Sequence, residues 1–178
     1  MKNWFGIITG LAILLAAGFT CAKDRVNIYE QPRDLPTKQI ISTTTGNKVS
    51  LEDFAGDFVI AVFWSKHCTP CVRELKDLAR FAAKTKNDGI RVIMISPKSE
   101  WIGGFEEQRR FMLRFEAHNL ETYVDEREAM ASAFGIFSSP VSIFISSDNK
   151  EIGRIRGSLD WNTSEVIEYI QKIKNENG

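Results

Sequence analysis

Residues 58–64 are apolar without interruption, between a Gly-Asp turn and polar Ser65. A short run of that kind, with no alternation, predicts a strand covered on both faces. The period then changes. Between Cys68 and Lys84, the side chains of Cys71, Leu75, Leu78, Ala79 and Ala82 gather on one side at ~100° per residue, with Arg73, Lys76, Asp77, Arg80 and Lys84 opposite. That predicts an amphipathic helix. Residues 90–95 read as a second buried strand, 105–118 as a helix, 121–124 as a short strand and 127–134 as a short helix. Strands at 141–145 and 151–156 flank Ser-Asp-Asn-Lys, a turn composition that makes them a hairpin. The last helix spans 162–173, with Asn162 as its cap and Glu165 reaching back. Asn162-Thr163-Ser164 also fits a glycosylation sequon, but capping explains it without a eukaryotic secretory route. Upstream, 38–42 and 48–50 are β-prone runs on either side of a stretch ending Thr-Thr-Gly-Asn, a small hairpin. The order β-α-β-α-β-α-β-β-α mixes parallel crossovers with a terminal hairpin. It predicts an α/β fold, a central mixed β-sheet flanked by helices with an N-terminal β-hairpin extension.

The 178 residues suit one such domain plus a short extra segment. That segment is the N-terminus, where Lys2 precedes an uncharged stretch to Ala22 with an apolar centre at 7–19. Residues 1–22 therefore read as an export signal or a membrane anchor. The run is short for a full span of ~20 residues, and Thr20-Cys21-Ala22 is a small-x-small cleavage site, so both readings stay open. Cys21 raises lipidation as a third, less favoured because Gly18 and Thr20 depart from the lipoprotein pattern. Residues 23–37 are polar with Pro32 and Pro36 and read as a linker, which places the folded domain at 38–174. Acidic and basic residues balance at 23 each, so the composition lacks the basic excess that points to a nucleic-acid surface.

Cys68-Thr69-Pro70-Cys71 falls where the buried strand has ended and the helix begins. Cysteines three apart on a first helical turn have Cα atoms about 5–6 Å apart, close enough for a disulfide with little backbone movement. Cys68, at the helix N-terminus, is the better nucleophile, because free N–H groups and the helix dipole favour its thiolate. Cys71 lies one turn in on the apolar face and is the resolving thiol. Pro70 is tolerated because a first-turn N–H has no helical partner. A purely structural disulfide is the plainer alternative, but closing so small a loop restrains the unfolded chain little. Zinc lacks a second ligand pair, and haem attachment needs a His where Val72 stands. The reading calls for no cofactor and no metal.

Phe63-Trp64-Ser65-Lys66-His67-Cys68-Thr69-Pro70-Cys71 resembles the F-W-A-x-W-C-x-P-C segment of the membrane-tethered periplasmic thioredoxins, the TlpA/ResA-like proteins. Residues 134–141 resemble their segment ending in a cis-proline opposite the dithiol, and 157–161 the stretch before their last helix. The resemblance covers about 35–173 and implies a thioredoxin fold. It further implies that Ser139-Pro140 is a cis bond presenting Ser139 backbone groups to an extended substrate beside Cys68. Trp64, His67 and Pro70 join Ser139 and Pro140 as expected substrate-binding residues. Glu74 stands where the cytochrome-maturation branch carries an active-site glutamate. On the helix it falls ~80° from the centre of the apolar stripe, beside Leu78 and Phe81, so it should be partly buried. A buried carboxyl gains a raised pKa and can exchange protons with Cys71; a solvated helix charge is the alternative. Two residues depart from the family pattern: His67 replaces an aromatic, and Lys76 a helix-kinking proline. Both bear on redox potential and substrate preference. His118 should end its helix as a favourable C-terminal charge.

The expected function is thiol-disulfide exchange through Cys68, Cys71 and Glu74 in the periplasm or on the outer face of a bacterial inner membrane. Reduction is favoured because the branch with this glutamate is largely reductive. The partners are dithiols and disulfides of exported proteins and an electron donor at the membrane or in the periplasm, with membrane association through the N-terminus. A disulfide oxidase or isomerase is the nearest alternative. A copper-handling protein on the same fold is another, since thiolates suit Cu(I), although such relatives space their cysteines more widely. Peroxidase relatives use a cysteine in a different local pattern.

Overall fold

The computed structural model describes residues 25–36, 40–43 and 45–177. The leader at 1–22 and Cys21 lie outside them, as do residues 37–39 of the expected linker and first hairpin strand. Among the described residues eight strands form one sheet, in which β1 (Val26–Asp34) lies at one edge, in the order β1-β8-β7-β4-β5-β6-β2-β3. β4 (Phe58–Phe63) lies near its centre, parallel to β5 (Ile90–Pro97) and antiparallel to β7 (Val141–Ile145). β6 (Glu121–Asp125) follows β5 in parallel, and the hairpin of β2 (Ile40–Thr43) and β3 (Lys48–Ser50) extends that edge. β8 (Lys150–Arg156) completes the terminal hairpin with β7.

Every residue of β4 is buried because its two side-chain rows feed two cores. Phe58, Ile60, Val62 and Trp64 face one cluster, with Leu75, Leu78 and Phe81 of α1 (Thr69–Thr85) and Ile170 of α4 (Ser164–Asn177). Val59, Ala61 and Phe63 face the other, with Ile143, Phe134 and Met130 of the short helix α3 (Met130–Ala133). This is the thioredoxin arrangement that the resemblance implies. Because both parallel strands end at the same edge of the sheet, the residues that follow β4 and β5 and the segment that precedes β7 meet there. Among the described residues no helix is long and apolar enough to cross a membrane.

Several local expectations give way to packing. Residues Val26–Asp34, expected within a linker, form β1, paired antiparallel with β8. Its register shifts between Ile28 and Arg33, a bulge that accommodates Pro32 on an edge strand. Val26 and Ile28 pack onto the core, and the approach is so close that a Cβ at Gly153 would stand 2.6 Å from the Asn27 carbonyl. The helix expected to reach His118 is α2 (Gly104–Arg114), which stops before Glu116 at a left-handed φ of 55°; His118 is an exposed loop residue. The expected helix at 127–134 shortens to α3, because the Asp125 carboxylate accepts the backbone N–H of Arg127 and of Met130 and holds the intervening residues in a turn. Thr163 rather than Asn162 caps α4, its Oγ1 accepting from Val166 N at 3.3 Å, while Asn162 Oδ1 accepts from Lys84.

Candidate active site

The chain leaves β4 through Trp64 and turns at Ser65, whose carbonyl accepts the Cys68 N–H at 3.1 Å. Cys68 is the N-cap of α1: its backbone is extended, and its sulfur accepts the Cys71 N–H at 3.3 Å. The first helical hydrogen bond runs from Val72 N to the Cys68 carbonyl. Pro70 occupies the first turn, where its missing N–H leaves no acceptor unpaired. Cys68 and Cys71 are joined in a disulfide with Cα atoms 5.3 Å apart. Cys68 stays half-exposed, whereas Cys71 is 1 % exposed on the core face of the helix. One sulfur can meet a client and the other cannot.

The Ser139–Pro140 peptide is cis. Its segment lies directly against the dithiol, with the Ser139 carbonyl 3.5 Å from Cys68 Sγ. A disulfide sulfur carries no hydrogen, so this is a packing contact rather than a hydrogen bond. Ser138 and Ser139 are exposed and Pro140 buried; Phe137, 90 % exposed, points away from the core. A cavity of about 290 Å³ opens beside this segment, lined by Phe63, Ser65, Ile136, Phe137, Ser138 and Ser139 among others. A larger hollow of about 550 Å³ lies at the opposite end of the sheet around Arg91. It holds no thiol, and Arg91 is already paired with Asp57 and Glu121.

Glu74 is 7 % exposed, one helical turn after Cys71 and packed among apolar residues of α1. Burial pushes its carboxyl up to about 7, against hydrogen bonds from Leu159 N and Trp161 Nε1 that pull it down. Both donors, at 3.1 Å each, reach Oε2. Among the described residues Oε1 has no partner, so a proton carried there leaves both bonds intact. A carboxyl balanced near neutrality can give or take a proton at working pH.

One expected residue, Trp64, stands differently from its assigned part. Trp64 is buried behind the dithiol, its ring tilted against those of Trp101 and Phe111, so its indole forms part of the cavity floor rather than an exposed substrate contact. His67 is exposed next to Cys68, and its backbone N–H donates to Ser65 Oγ. Lys76 points away from the site and pairs with Glu116 on the surface. Among the described residues no three His, Cys, Asp or Glu side chains are grouped to hold a metal. Three contributors escape a reading of the sequence alone. Leu159 and Trp161 hold Glu74; a buried indole needs an acceptor, and that requirement was the only signal available. Lys66 ties the dithiol turn to the segment after β5: its N–H donates to Glu100, and its ammonium pairs with Glu107 at 2.6 Å over the Trp101 ring.

A thioredoxin fold whose half-exposed and buried cysteines form a disulfide across a helix N-terminus, faced by a cis-proline segment, defines a thiol-disulfide oxidoreductase. Residues 33–159 match the AhpC/TSA family, and the chain belongs to it. It is similar to the thiol-disulfide oxidoreductase ResA of Bacillus thuringiensis subsp. konkukian, 25% identical over 172 residues that cover 95% of each chain. ResA of Bacillus subtilis is 22% identical over 135 residues, 76% of this chain and 72% of that one. Among solved structures, a thiol:disulfide interchange protein from Bacteroides sp. superposes with a TM-score of 0.65 at 18% identity, covering 82% of this chain and 91% of that one. The thioredoxin domain of a Bacteroides vulgatus thiol-disulfide oxidoreductase gives 0.62 at 17%, covering 83% and 100%. These structural likenesses establish the fold.

Proposed function

We propose that this protein reduces disulfides in exported polypeptides, apocytochrome c among them, with Cys68 as nucleophile, Cys71 as resolving thiol and Glu74 as proton partner. Residues 1–22 deliver it to the periplasm or hold it at the outer face of the inner membrane. The observation that carries the reductive reading is the buried Glu74 carboxyl one turn from Cys71, with no cation beside it among the described residues. Ionised, it opposes a nearby thiolate. A strong oxidant depends on a stabilised thiolate in its reduced form, so a buried anion at this place favours the disulfide and makes the dithiol a reductant.

The Cys68 thiolate attacks one sulfur of the client disulfide; that bond breaks, and the other client sulfur leaves and takes a proton. Cys71 gives its proton to the Glu74 carboxylate and attacks Cys68 Sγ. The second client sulfur leaves and takes up that proton. Two electrons have then passed from the dithiol to the client, and an external dithiol donor at the membrane restores the pair. The Ser139 carbonyl at 3.5 Å from Cys68 Sγ supplies an acceptor for a client backbone N–H running past the sulfur. Pro70 and Pro140 frame that edge. His67, exposed next to Cys68, favours the alternative, because an imidazolium there stabilises the thiolate and moves the pair toward an oxidase.

The equilibrium potential of the Cys68/Cys71 pair decides between them. A reductant lies more negative than roughly −220 mV, while a value near about −120 mV identifies an oxidase. A reporter fused after Ala22 should be active only when exported; activity confined to the cytoplasm removes the proposed location.

A further inference from the structure

On the sheet face opposite Glu74 lies a second buried carboxylate that the dithiol chemistry does not use. Glu151 and Arg154 of β8 are 3 % and 6 % exposed and form an ion pair, Arg154 Nη2 to Glu151 Oε1 at 2.5 Å, with Nε on the same oxygen at 2.7 Å. Residues three apart on a regular strand face opposite sides. Here the β7–β8 register passes from Phe144↔Gly153 to Ile145↔Glu151, and the bulge at Ile152 turns both charges to one face. The third arm of the guanidinium, Nη1, donates to the Phe134 carbonyl at 3.1 Å. Phe134 ends α3 and begins the segment that runs through Ser139 to Pro140, and its ring packs on Phe63 at the end of β4. From the other side the Tyr29 hydroxyl donates to Glu151 Oε1 at 2.8 Å, and the Arg33 guanidinium lies 3.8 Å over the Tyr29 ring. Tyr29 sits in the β1 bulge, so the N-terminal strand is joined through the side chains of Tyr29, Glu151 and Arg154 to the start of the cis-proline segment.

We propose that Arg154, oriented by Glu151 and Tyr29, is a positioning residue that holds the Phe134–Pro140 backbone, and with it the Ser139 carbonyl, at the height an extended client needs beside Cys68. This rests on the exchange function proposed above. A planar guanidinium can bridge a carboxylate and a carbonyl at fixed spacing, whereas an ammonium cannot reproduce that fork. The device serves polypeptide clients and is indifferent to a small disulfide that needs no backbone contact.

The test compares the full chain with Arg154→Lys and Tyr29→Phe, using an extended synthetic peptide with one disulfide and, separately, glutathione disulfide. Arg154→Lys should raise KM for the peptide roughly threefold to tenfold, and Tyr29→Phe about twofold, with kcat and the Cys68/Cys71 potential unchanged. Kinetics with glutathione disulfide should stay within about twofold of the parent. Hydrogen exchange of the 134–139 amides should quicken in both variants. If Arg154→Lys does not fold, the Glu151→Met/Arg154→Met pair, which removes both charges together, carries the same readouts. Equal shifts for peptide and glutathione disulfide, or a folded variant with parental peptide KM and parental amide exchange, would overturn the inference. A parent protein that exchanges neither substrate overturns the function beneath it, and the amide exchange then shows whether the fork still holds the segment.

Discussion

Glu74 and Glu151 are both buried carboxylates, on opposite faces of one sheet, and their surroundings assign them opposite work. Glu151 has a guanidinium on it, a phenol beside it and a carbonyl completing the network. Among the described residues Glu74 has two neutral N–H donors and no cation. The first arrangement holds a charge still. The second leaves burial only partly offset, so the carboxyl rises to about 7 and its proton becomes mobile. A buried acid is therefore structural or chemical according to the charge of its partner.

Replacing the attacking sulfur should have the largest effect. Cys68→Ser should abolish exchange with a model disulfide, while Cys71→Ser should still attack and accumulate a mixed disulfide visible on non-reducing gels. Trapping by Cys68→Ser alone would reverse the two roles. Next is the structural carboxylate. Arg154→Ala leaves Glu151 as an uncompensated buried charge and should cost about 3–5 kcal/mol in urea unfolding, whereas the double change Glu151→Met/Arg154→Met should stay within about 2 kcal/mol of the parent. Equal losses would mean that the pair acts by packing alone.

The chemical carboxylate predicts a pH signature instead. Its folded pKa is raised from near 4.5 to about 7, so between those values the folded protein holds a proton that the unfolded chain has lost. Its stabilisation is full below about pH 4.5 and is lost as pH rises to about 7, on the order of 3 kcal/mol in all. Glu74→Gln should flatten that part of the stability curve. The smallest effect belongs to Lys66, whose partner Glu107 is one-third exposed. Lys66→Met should cost about 1 kcal/mol or less, and a larger loss would show that the clamp on the dithiol turn matters more than its surface setting implies.

The comparison also separates what was legible in the sequence from what was not. The unbroken run at 58–64, the dithiol at a strand-to-helix junction and Glu74 at the edge of an apolar stripe follow from local period and helix geometry, and the fold places each of them as read. Only the resemblance pointed to the cis bond at Pro140. β1 was hidden because its residues are mostly exposed and include Pro32; it exists through a close approach over Gly153, which no local pattern encodes. The Glu151–Arg154 pair was hidden because a spacing of three on a strand places side chains apart until a bulge reverses one of them. Helix ends at Arg114 and Thr163 were set by left-handed and capping residues that compete with near neighbours of equal propensity.

The most direct test of the proton role of Glu74 is the pH–rate profile of disulfide exchange for the parent and Glu74→Gln, measured with the same substrate at fixed ionic strength. The parent should show an inflection near pH 7 from the buried carboxyl, and Glu74→Gln should lose it while the apparent thiol pKa falls, because the neighbouring negative charge has gone. Superimposable profiles would contradict the account and reduce Glu74 to a packing residue.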